Sequence, residues 1–125
     1  MTVNRKFVYL AFGIAAVFLL LPLAPLFAAE RDYQKAWCDA HGGTMEVVLP
    51  DKTRVDCLTA THAIEFDFAP KWAEAIGQAL HYAALTGKQP GIVLIMAPGD
   101  EKFRSRLLAT TAGFCLRIEL WEVQK

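Results

Sequence analysis

Three carboxylates and a lysine follow one another in the middle of the sequence. The three carboxylates lie in segments whose residue pattern indicates β-strands. Asp56 lies inside one short apolar run, and Glu65 and Asp67 alternate with apolar residues in the next run. Lys71 comes shortly after Asp67. Carboxylate oxygens suit Mg²⁺ or Mn²⁺, and an ammonium group stabilises charge that grows on a phosphate. These residue types in this order point to metal-assisted chemistry on a phosphate ester.

Asp56 and Glu65 are predicted to face each other across two antiparallel strands. A turn centred between Ala60 and Thr61 sets this register. Like charges directly opposite each other in a sheet repel, and burying carboxylates without a partner is costly. Because a divalent cation reverses both effects, we predict that Asp56 and Glu65 bind Mg²⁺ or Mn²⁺.

Two further acids are candidate ligands of the same cation. Asp67 lies on the same face of its strand as Glu65, and Glu46 lies on the preceding strand. The alternative interpretation is that Glu65 and Asp67 form the wet face of an edge strand. They would then make ordinary salt bridges with Arg54 or Lys71, worth ~0–1 kcal/mol each.

Polar residues gather on one side of the next predicted helix, which covers residues 70–86. At about 100° per residue, the polar side carries Lys71, Glu74, Gln78 and Tyr82. Lys71 lies in the first turn, close to Asp67, so its ammonium group can reach toward the carboxylates and orient an attacking water. The wet-face alternative accounts for the alternating strand but does not explain this polar line.

The elements that position these residues form an α/β pattern. Helices are predicted over residues 32–41, 70–86 and 100–111, and strands over residues 45–49, 53–58, 62–68, 91–96 and 115–123. Short turns join the first three strands into an antiparallel meander. The uninterrupted apolar run over residues 91–96 is typical of a strand buried on both faces. We therefore predict a small mixed sheet, the meander plus two further strands, flanked by helices in the order αβββαβαβ.

These motifs together resemble those of the PD-(D/E)XK nuclease superfamily. Asp56 precedes Glu65, and the helix that follows carries Gln78 and Tyr82, a Gln-x-x-x-Tyr spacing similar to that of the RecB-like branch. The resemblance covers about residues 32–123. It implies a restriction-endonuclease-like core and a Mg²⁺-dependent nuclease, a hydrolase that cleaves phosphodiester bonds at internal positions or at strand ends, with DNA as the favoured substrate.

The resemblance also implies a role for each matched residue. Asp56 and Glu65 match the metal-binding acids, Lys71 matches the catalytic lysine, and Gln78 and Tyr82 match residues that position the nucleic acid. The chain departs from the family pattern in one respect. The lysine usually lies two residues after the second acid, where this chain has Asp67, so the lysine is displaced to the following helix.

A second function belongs to a different class. A domain that keeps this fold but has lost a competent arrangement of side chains would be a non-catalytic binding or structural module. The displaced lysine favours this alternative. In either case a domain of this size presents little surface, so a homodimer or a partner protein would complete a nucleic-acid groove.

The first 29 residues have the layout of a secretory signal. Arg5 and Lys6 precede an apolar run over residues 7–27, which ends in the small residues Ala28 and Ala29. We expect export to the periplasm or secretion, with residues 30–125 as one domain. The alternative is a retained membrane anchor with the domain facing outward.

Charge and cysteine content narrow the classes of partner. Without Arg5 and Lys6, the domain has about two net negative charges, so no broad basic field would hold nucleic acid. Such a partner needs a local basic cluster or a metal.

Three cysteines leave at least one unpaired, and an oxidising compartment permits a bridge between Cys38 and Cys57, although both also fit as small buried apolar residues.

Overall fold

The computed structural model describes residues 24–125. Residues 1–23 of the predicted leader lie outside the described part of the chain. The first helix, α1 (Ala24–Ala40), continues across the predicted boundary between leader and domain at residue 29, so it begins earlier than the helix predicted from residue 32. No helix breaker separates Phe27 from Asp32, which explains the longer helix. Within residues 24–125 no helix has both the length and the hydropathy to cross a bilayer.

Five strands and two further helices follow α1. They are β1 (Thr44–Val48), β2 (Arg54–Leu58), β3 (His62–Phe68), α2 (Trp72–Thr86), β4 (Gln89–Met96), α3 (Glu101–Gly113) and β5 (Glu119–Gln124). The strands form one sheet in sequential order. β1, β2 and β3 pair antiparallel, whereas β3, β4 and β5 pair parallel across the two helical crossovers. The prediction of an α/β fold with a mixed five-stranded sheet is confirmed.

Helix α2 begins and ends where local chemistry requires. A short 3₁₀ turn (Ala69–Lys71) precedes it, with Pro70 in a position where its missing N–H is not needed. Gly87 ends α2 with φ 67°, a left-handed conformation that glycine adopts without strain, and its N–H donates to the Ala83 carbonyl. Lys71 therefore lies at the N-cap rather than inside the first helical turn.

The last strand is shorter than the sequence predicts. β5 begins at residue 119, not at residue 115. The N–H of Leu116 donates to the Thr111 carbonyl at 2.8 Å, and Cys115 has φ 53°. Residues 115–118 therefore close the end of α3, and an exposed Cys115 replaces the expected strand cysteine.

Helices cover the two faces of the sheet. α1 packs over Ile64, Phe66 and Val93, and the disulfide between Cys38 and Cys57 joins α1 to β2. α2 and α3 pack on the opposite face, where the buried residues include Ile76, Ala79, Ile92, Leu94 and Leu107. The sequence permitted this disulfide without requiring it, and the structure contains it, within the apolar layer under α1.

The acids of β3 do not form a wet face. β3 is the central strand of the five, so it is not an edge strand. Glu65 is 5% exposed and Asp67 is 4% exposed. The alternative of solvated surface acids is therefore wrong, and the cost of burying these carboxylates must be met within the fold.

Candidate functional site

Strands β2 and β3 separate at Asp56. The register pairs Cys57 with Ile64 and Leu58 with Ala63, as the predicted turn requires. The next step would set Asp56 against Glu65, but there the Asp56 carboxylate accepts the backbone N–H of Phe66 at 2.8 Å. A side chain thus takes the place of a backbone partner, and the Asp56 and Glu65 carboxyl groups lie side by side where the strands part.

Asp56 and Glu65 form a coupled pair of carboxyl groups. Burial raises the pKa of Glu65 well above its usual value, and the Asp56 charge and a hydrogen bond between the two groups raise it further. Burial also raises the pKa of Asp56, while the Phe66 N–H opposes that shift. Because two adjacent charges cannot both be ionised cheaply, the pair shares one proton near neutral pH. Oε2 of Glu65 is buried and has no hydrogen-bond partner.

Asp67 extends this acidic group toward Lys71. Burial raises the pKa of Asp67 to about 7, and the Lys71 ammonium opposes that shift. Lys71 also lowers the pKa of Glu30, which burial raises. Among the described residues Lys71 has no carboxylate within 4.0 Å, so its exposed ammonium group acts on these acids from a distance.

A cleft of about 610 Å³ opens over part of this group. Four predicted residues line it: Glu46, Asp56, Gln78 and Tyr82. Glu65, Asp67 and Lys71 do not line the cleft, although the Glu65 carboxyl group adjoins that of Asp56. The structure thus places Glu46, Asp56, Gln78 and Tyr82 on the cleft, with Glu65 adjoining Asp56, and leaves Asp67 and Lys71 outside the cleft.

Glu46 adopts an unusual backbone conformation beside the cleft. It has φ 56° inside β1, between the pairs Met45 with Cys57 and Val47 with Val55. A left-handed non-glycine residue within a strand is strained. Its carboxylate lies 3.1 Å from Nε of Arg54, so part of the Glu46 charge is already neutralised.

Gln78 and Tyr82 form the α2 side of the cleft. The Tyr82 hydroxyl donates to Oε1 of Gln78 at 3.1 Å, one helical turn away. Burial and the Glu65 and Asp56 carboxylates raise the pKa of Tyr82 to about 12. The phenol therefore stays neutral across physiological pH and is suited to donating hydrogen bonds.

Three cations on the rim were not singled out by the sequence as a group. Arg31, Lys52 and Arg54 come from α1, the β1–β2 turn and β2, and all three are exposed while lining the cleft. Their spacing along the chain carries no motif. The β1–β2 hairpin, however, places Lys52 and Arg54 at the same end of the sheet as Asp56. A basic rim around an acidic floor is the local cluster that a polyanion needs.

Sequence reasoning also missed Glu30 and Gln34, which line the cleft. Both lie on α1 one turn apart, and Nε2 of Gln34 donates to Oε1 of Glu30 at 3.2 Å. Gln34 is 4% exposed, and its own Oε1 is buried without a partner. The spacing of the two residues was the available signal, but the helix was predicted to start at residue 32, after Glu30.

The donor set fits a cation that takes few protein ligands. No group of three or more histidine, cysteine or acidic side chains in residues 24–125 is arranged to hold a metal ion. Mg²⁺ is commonly held by one or two carboxylates, with water and substrate phosphate completing its shell. The buried, unpartnered Oε2 of Glu65 beside Asp56 meets that description. Asp56 and Glu65 are thus the residues that would hold Mg²⁺, with Asp67 nearby.

Comparison with known proteins gives no assignment of family. The chain matches no family model, no curated protein and no solved structure.

Proposed function

We propose that this chain is an exported, Mg²⁺-dependent nuclease that hydrolyses phosphodiester bonds, with a PD-(D/E)XK-like site on a restriction-endonuclease-like core. The observation that carries the proposal is the pair Asp56 and Glu65. The two carboxyl groups adjoin where β2 and β3 part; Glu65 is buried and Asp56 is half-buried, and Oε2 of Glu65 has no partner. A fold without a use for a cation gains nothing from this costly arrangement.

The position of each site residue supports a specific role in the proposed reaction. Mg²⁺ or Mn²⁺, when bound, would neutralise charge on the phosphate. Asp56 and Glu65 would hold it through their oxygens, and binding would displace the proton that the pair shares. The exposed Lys71 ammonium can approach the phosphate or the attacking water from the Asp67 side.

The walls and rim of the cleft suit a nucleic-acid backbone. Arg31, Lys52 and Arg54 can contact phosphates on either side of the scissile bond. The neutral Tyr82 hydroxyl and the Gln78 amide can hydrogen-bond to the sugar or the phosphate. DNA is the proposed substrate on the strength of the family resemblance.

The disulfide supports the proposed compartment. Cys38 and Cys57 are bonded and fully buried, and such bridges persist in oxidising environments. We therefore propose that the domain acts in the periplasm or after secretion. A retained anchor facing outward would place the domain in the same environment, and a membrane contact follows only in that case.

The test is cleavage of plasmid and of single-stranded DNA by the purified full chain, with and without Mg²⁺. We expect cleavage that requires Mg²⁺, that falls to the metal-free level in Asp56→Asn, and that falls about a hundredfold or more in Lys71→Ala. Asp56→Asn preserves shape and the hydrogen bond from the Phe66 N–H, so the loss would report the carboxylate charge.

Matched controls separate site effects from general effects of charge. Glu101→Gln and Lys102→Ala remove an exposed acid and an exposed lysine from α3, away from the cleft. Both variants should cleave at the wild-type rate. Absence of Mg²⁺-dependent cleavage in the wild-type chain on both DNA forms would rule out the nuclease.

One observation favours a non-catalytic binding module as the second candidate. The position two residues after Glu65 holds the buried Asp67, and Lys71 makes no close ion pair with the acids among the described residues. A module of this kind would keep the fold without hydrolysis. Calorimetry with Mn²⁺ distinguishes the two: binding that disappears in Asp56→Ala supports the enzyme, and no binding at millimolar Mn²⁺ supports the module.

A further inference from the structure

A second cleft, which we call the aromatic cleft, lies at the other end of α1. It opens between the C-terminal half of α1, the β2–β3 turn and the start of β5, and it has a volume of about 220 Å³. At roughly 30 Å³ per water molecule, this is space for about seven waters. One planar heterocycle fits, whereas a base pair or a folded peptide does not.

The walls of the aromatic cleft are ring systems. His41 stacks on Trp37 with 3.6 Å between ring centroids, and Trp121 meets Trp37 edge to face at 5.2 Å. His62 meets Trp121 edge to face at 5.3 Å. Trp37 and Trp121 are half-buried, so parts of both indoles remain open to a ligand. Rings of this kind are stacking platforms for unpaired bases.

Two polar side chains of the same cleft contact each other. Nδ1 of His62 is hydrogen-bonded to the Thr61 hydroxyl at 2.8 Å, and Nε2 of His62 is shielded from solvent. Oε2 of Glu119 lies 2.7 Å from Nε2, and the two side chains form an ion pair when His62 is protonated. The Glu119 side chain is 53% exposed, so its carboxylate can accept hydrogen bonds from a ligand.

This chemistry selects one class of base. A carboxylate accepts hydrogen bonds from exocyclic amino groups, as it does from N4 of cytosine. Adenine, cytosine and guanine carry such groups, whereas thymine does not. Stacking against Trp37 or Trp121 requires a base that has left the duplex, because neighbouring bases cover the faces of a paired base. The Watson–Crick edge of a paired base is likewise occupied by its partner and cannot reach Glu119.

Helix α1 links the two clefts. We call the larger cleft, which Asp56 and Glu46 line, the acidic cleft. Glu30 lines the acidic cleft and Trp37 lines the aromatic cleft. Seven residues separate them, which is about 10 Å along the axis at about 1.5 Å per residue. A strand spaced at about 3.4 Å per nucleotide crosses that distance in about three nucleotides.

We propose that the aromatic cleft binds an unpaired, amino-bearing nucleobase of the strand whose backbone lies in the acidic cleft, so that the substrate is single-stranded at this point. The inference rests on the proposed nuclease function and names its substrate class. Glu119 is the specificity-determining residue, and Trp37 and Trp121 are the stacking residues.

The test is the affinity of the full chain for short oligo-dC, oligo-dT and abasic strands of equal length, measured by fluorescence anisotropy in EDTA. Wild type should bind oligo-dC about tenfold more tightly than oligo-dT, since a good carboxylate contact to a base discriminates by about this factor or more. Glu119→Ala should bind oligo-dC at the oligo-dT level and leave oligo-dT unchanged. Glu101→Ala, which removes the same charge from α3, should retain the preference.

Tryptophan fluorescence gives an independent readout of the stacking. Oligo-dC should quench the fluorescence of wild type and of Trp72→Phe by the same absolute amount, because Trp72, the first residue of α2, packs on the opposite face of the sheet. Trp121→Phe should reduce the quenching. Equal binding of oligo-dC and oligo-dT by wild type, or no binding of either, would overturn the base site. Retained oligo-dC preference without Mg²⁺-dependent cleavage would overturn the nuclease proposal alone.

Discussion

The two faces of β3 are buried to nearly the same degree but have opposite chemistry. Ile64 and Phe66 are each 1% exposed under α1, whereas Glu65 and Asp67 are 5% and 4% exposed on the other face. The same backbone thus carries an apolar face that stabilises the fold and an acidic face that opposes it. None of these acids, nor Asp56, has a cation within 4.0 Å among the described residues.

This difference distinguishes residues whose burial stabilises the fold from residues whose burial costs stability. The apolar face is explained by the apolar area removed from water, since Phe66 packs against Trp37 and the disulfide. The acidic face has no such explanation, because an apolar or neutral residue would cost less there. The two faces should therefore respond in opposite directions to substitution.

Truncating the apolar face should have the largest effect. Phe66→Ala removes a fully buried ring and leaves a cavity under α1, so we expect a loss of about 3–5 kcal/mol in the free energy of unfolding. Urea denaturation measures it. Phe114→Ala is the matched control, because Phe114 is 77% exposed and its loss should change stability little. Similar effects of the two substitutions would contradict the assignment of this face to the core.

Removing the disulfide should have the next largest effect. Cys38 and Cys57 are 19 residues apart, and closing a loop of that length stabilises by about 3 kcal/mol. We expect the double variant Cys38→Ala/Cys57→Ala to lose about this much in urea denaturation. It should also weaken Mg²⁺-dependent cleavage, because the bridge holds the α1 carboxylate and amide beside Asp56.

Two controls test whether the bridge itself is responsible. Cys115→Ala, at the exposed free cysteine, should leave both stability and cleavage unchanged. Dithiothreitol should reproduce the double variant in the wild-type chain and have no further effect on the variant. An unchanged denaturation midpoint after reduction would show that the apolar contacts alone hold α1 in place.

Neutralising the acidic face should stabilise the protein. Glu65→Gln keeps the size of the side chain and removes a buried carboxyl group that folding must protonate at pH 7.5, so we expect a gain of about 1 kcal/mol at that pH without metal. The same variant should lose Mg²⁺-dependent cleavage. Glu101→Gln, at an exposed acid, should change neither property. A destabilised Glu65→Gln would mean that the carboxylate is needed by the fold rather than by a ligand.

The sequence predicted the acidic face better than it predicted what surrounds it. Alternation in β3 and the turn at Ala60 and Thr61 were sufficient to place Glu65 beside Asp56, because strand register follows from local geometry. Burial of Glu65 was not predictable in the same way. It depends on β4 and β5 joining beyond β3, which makes β3 central, and on α2 covering that face.

Contacts between distant segments were missed for a related reason. Glu30 and Gln34 reach the cleft because α1 crosses the sheet, and their place in the sequence next to the predicted leader concealed it. The rim cations likewise come from three separate elements. Periodicity reports which face a residue occupies within its own element, but it does not report which other element lies opposite.

The smallest predicted effect is the dependence of thermal stability on pH. The pKa of Asp67 is raised from 3.8 to about 7, and those of Asp56 and Glu65 are also raised. The folded state therefore holds protons that the unfolded chain has already released. The stability contributed by these protonated carboxyl groups is fully present below pH about 4 and is lost as pH rises through about 7. Without metal, Tm should fall by a few degrees between pH 5 and pH 8.

Mg²⁺ should oppose this fall, because it takes the place of the protons on the same oxygens. Differential scanning fluorimetry should show a larger rise in Tm on adding Mg²⁺ at pH 8 than at pH 5. Glu65→Gln should flatten the pH dependence and reduce the Mg²⁺ effect, whereas Glu101→Gln should alter neither. A Tm that rises with pH in the absence of metal would show that the acidic face is not protonated in the folded protein, and the contrast between the two faces of β3 would then lose its electrostatic basis.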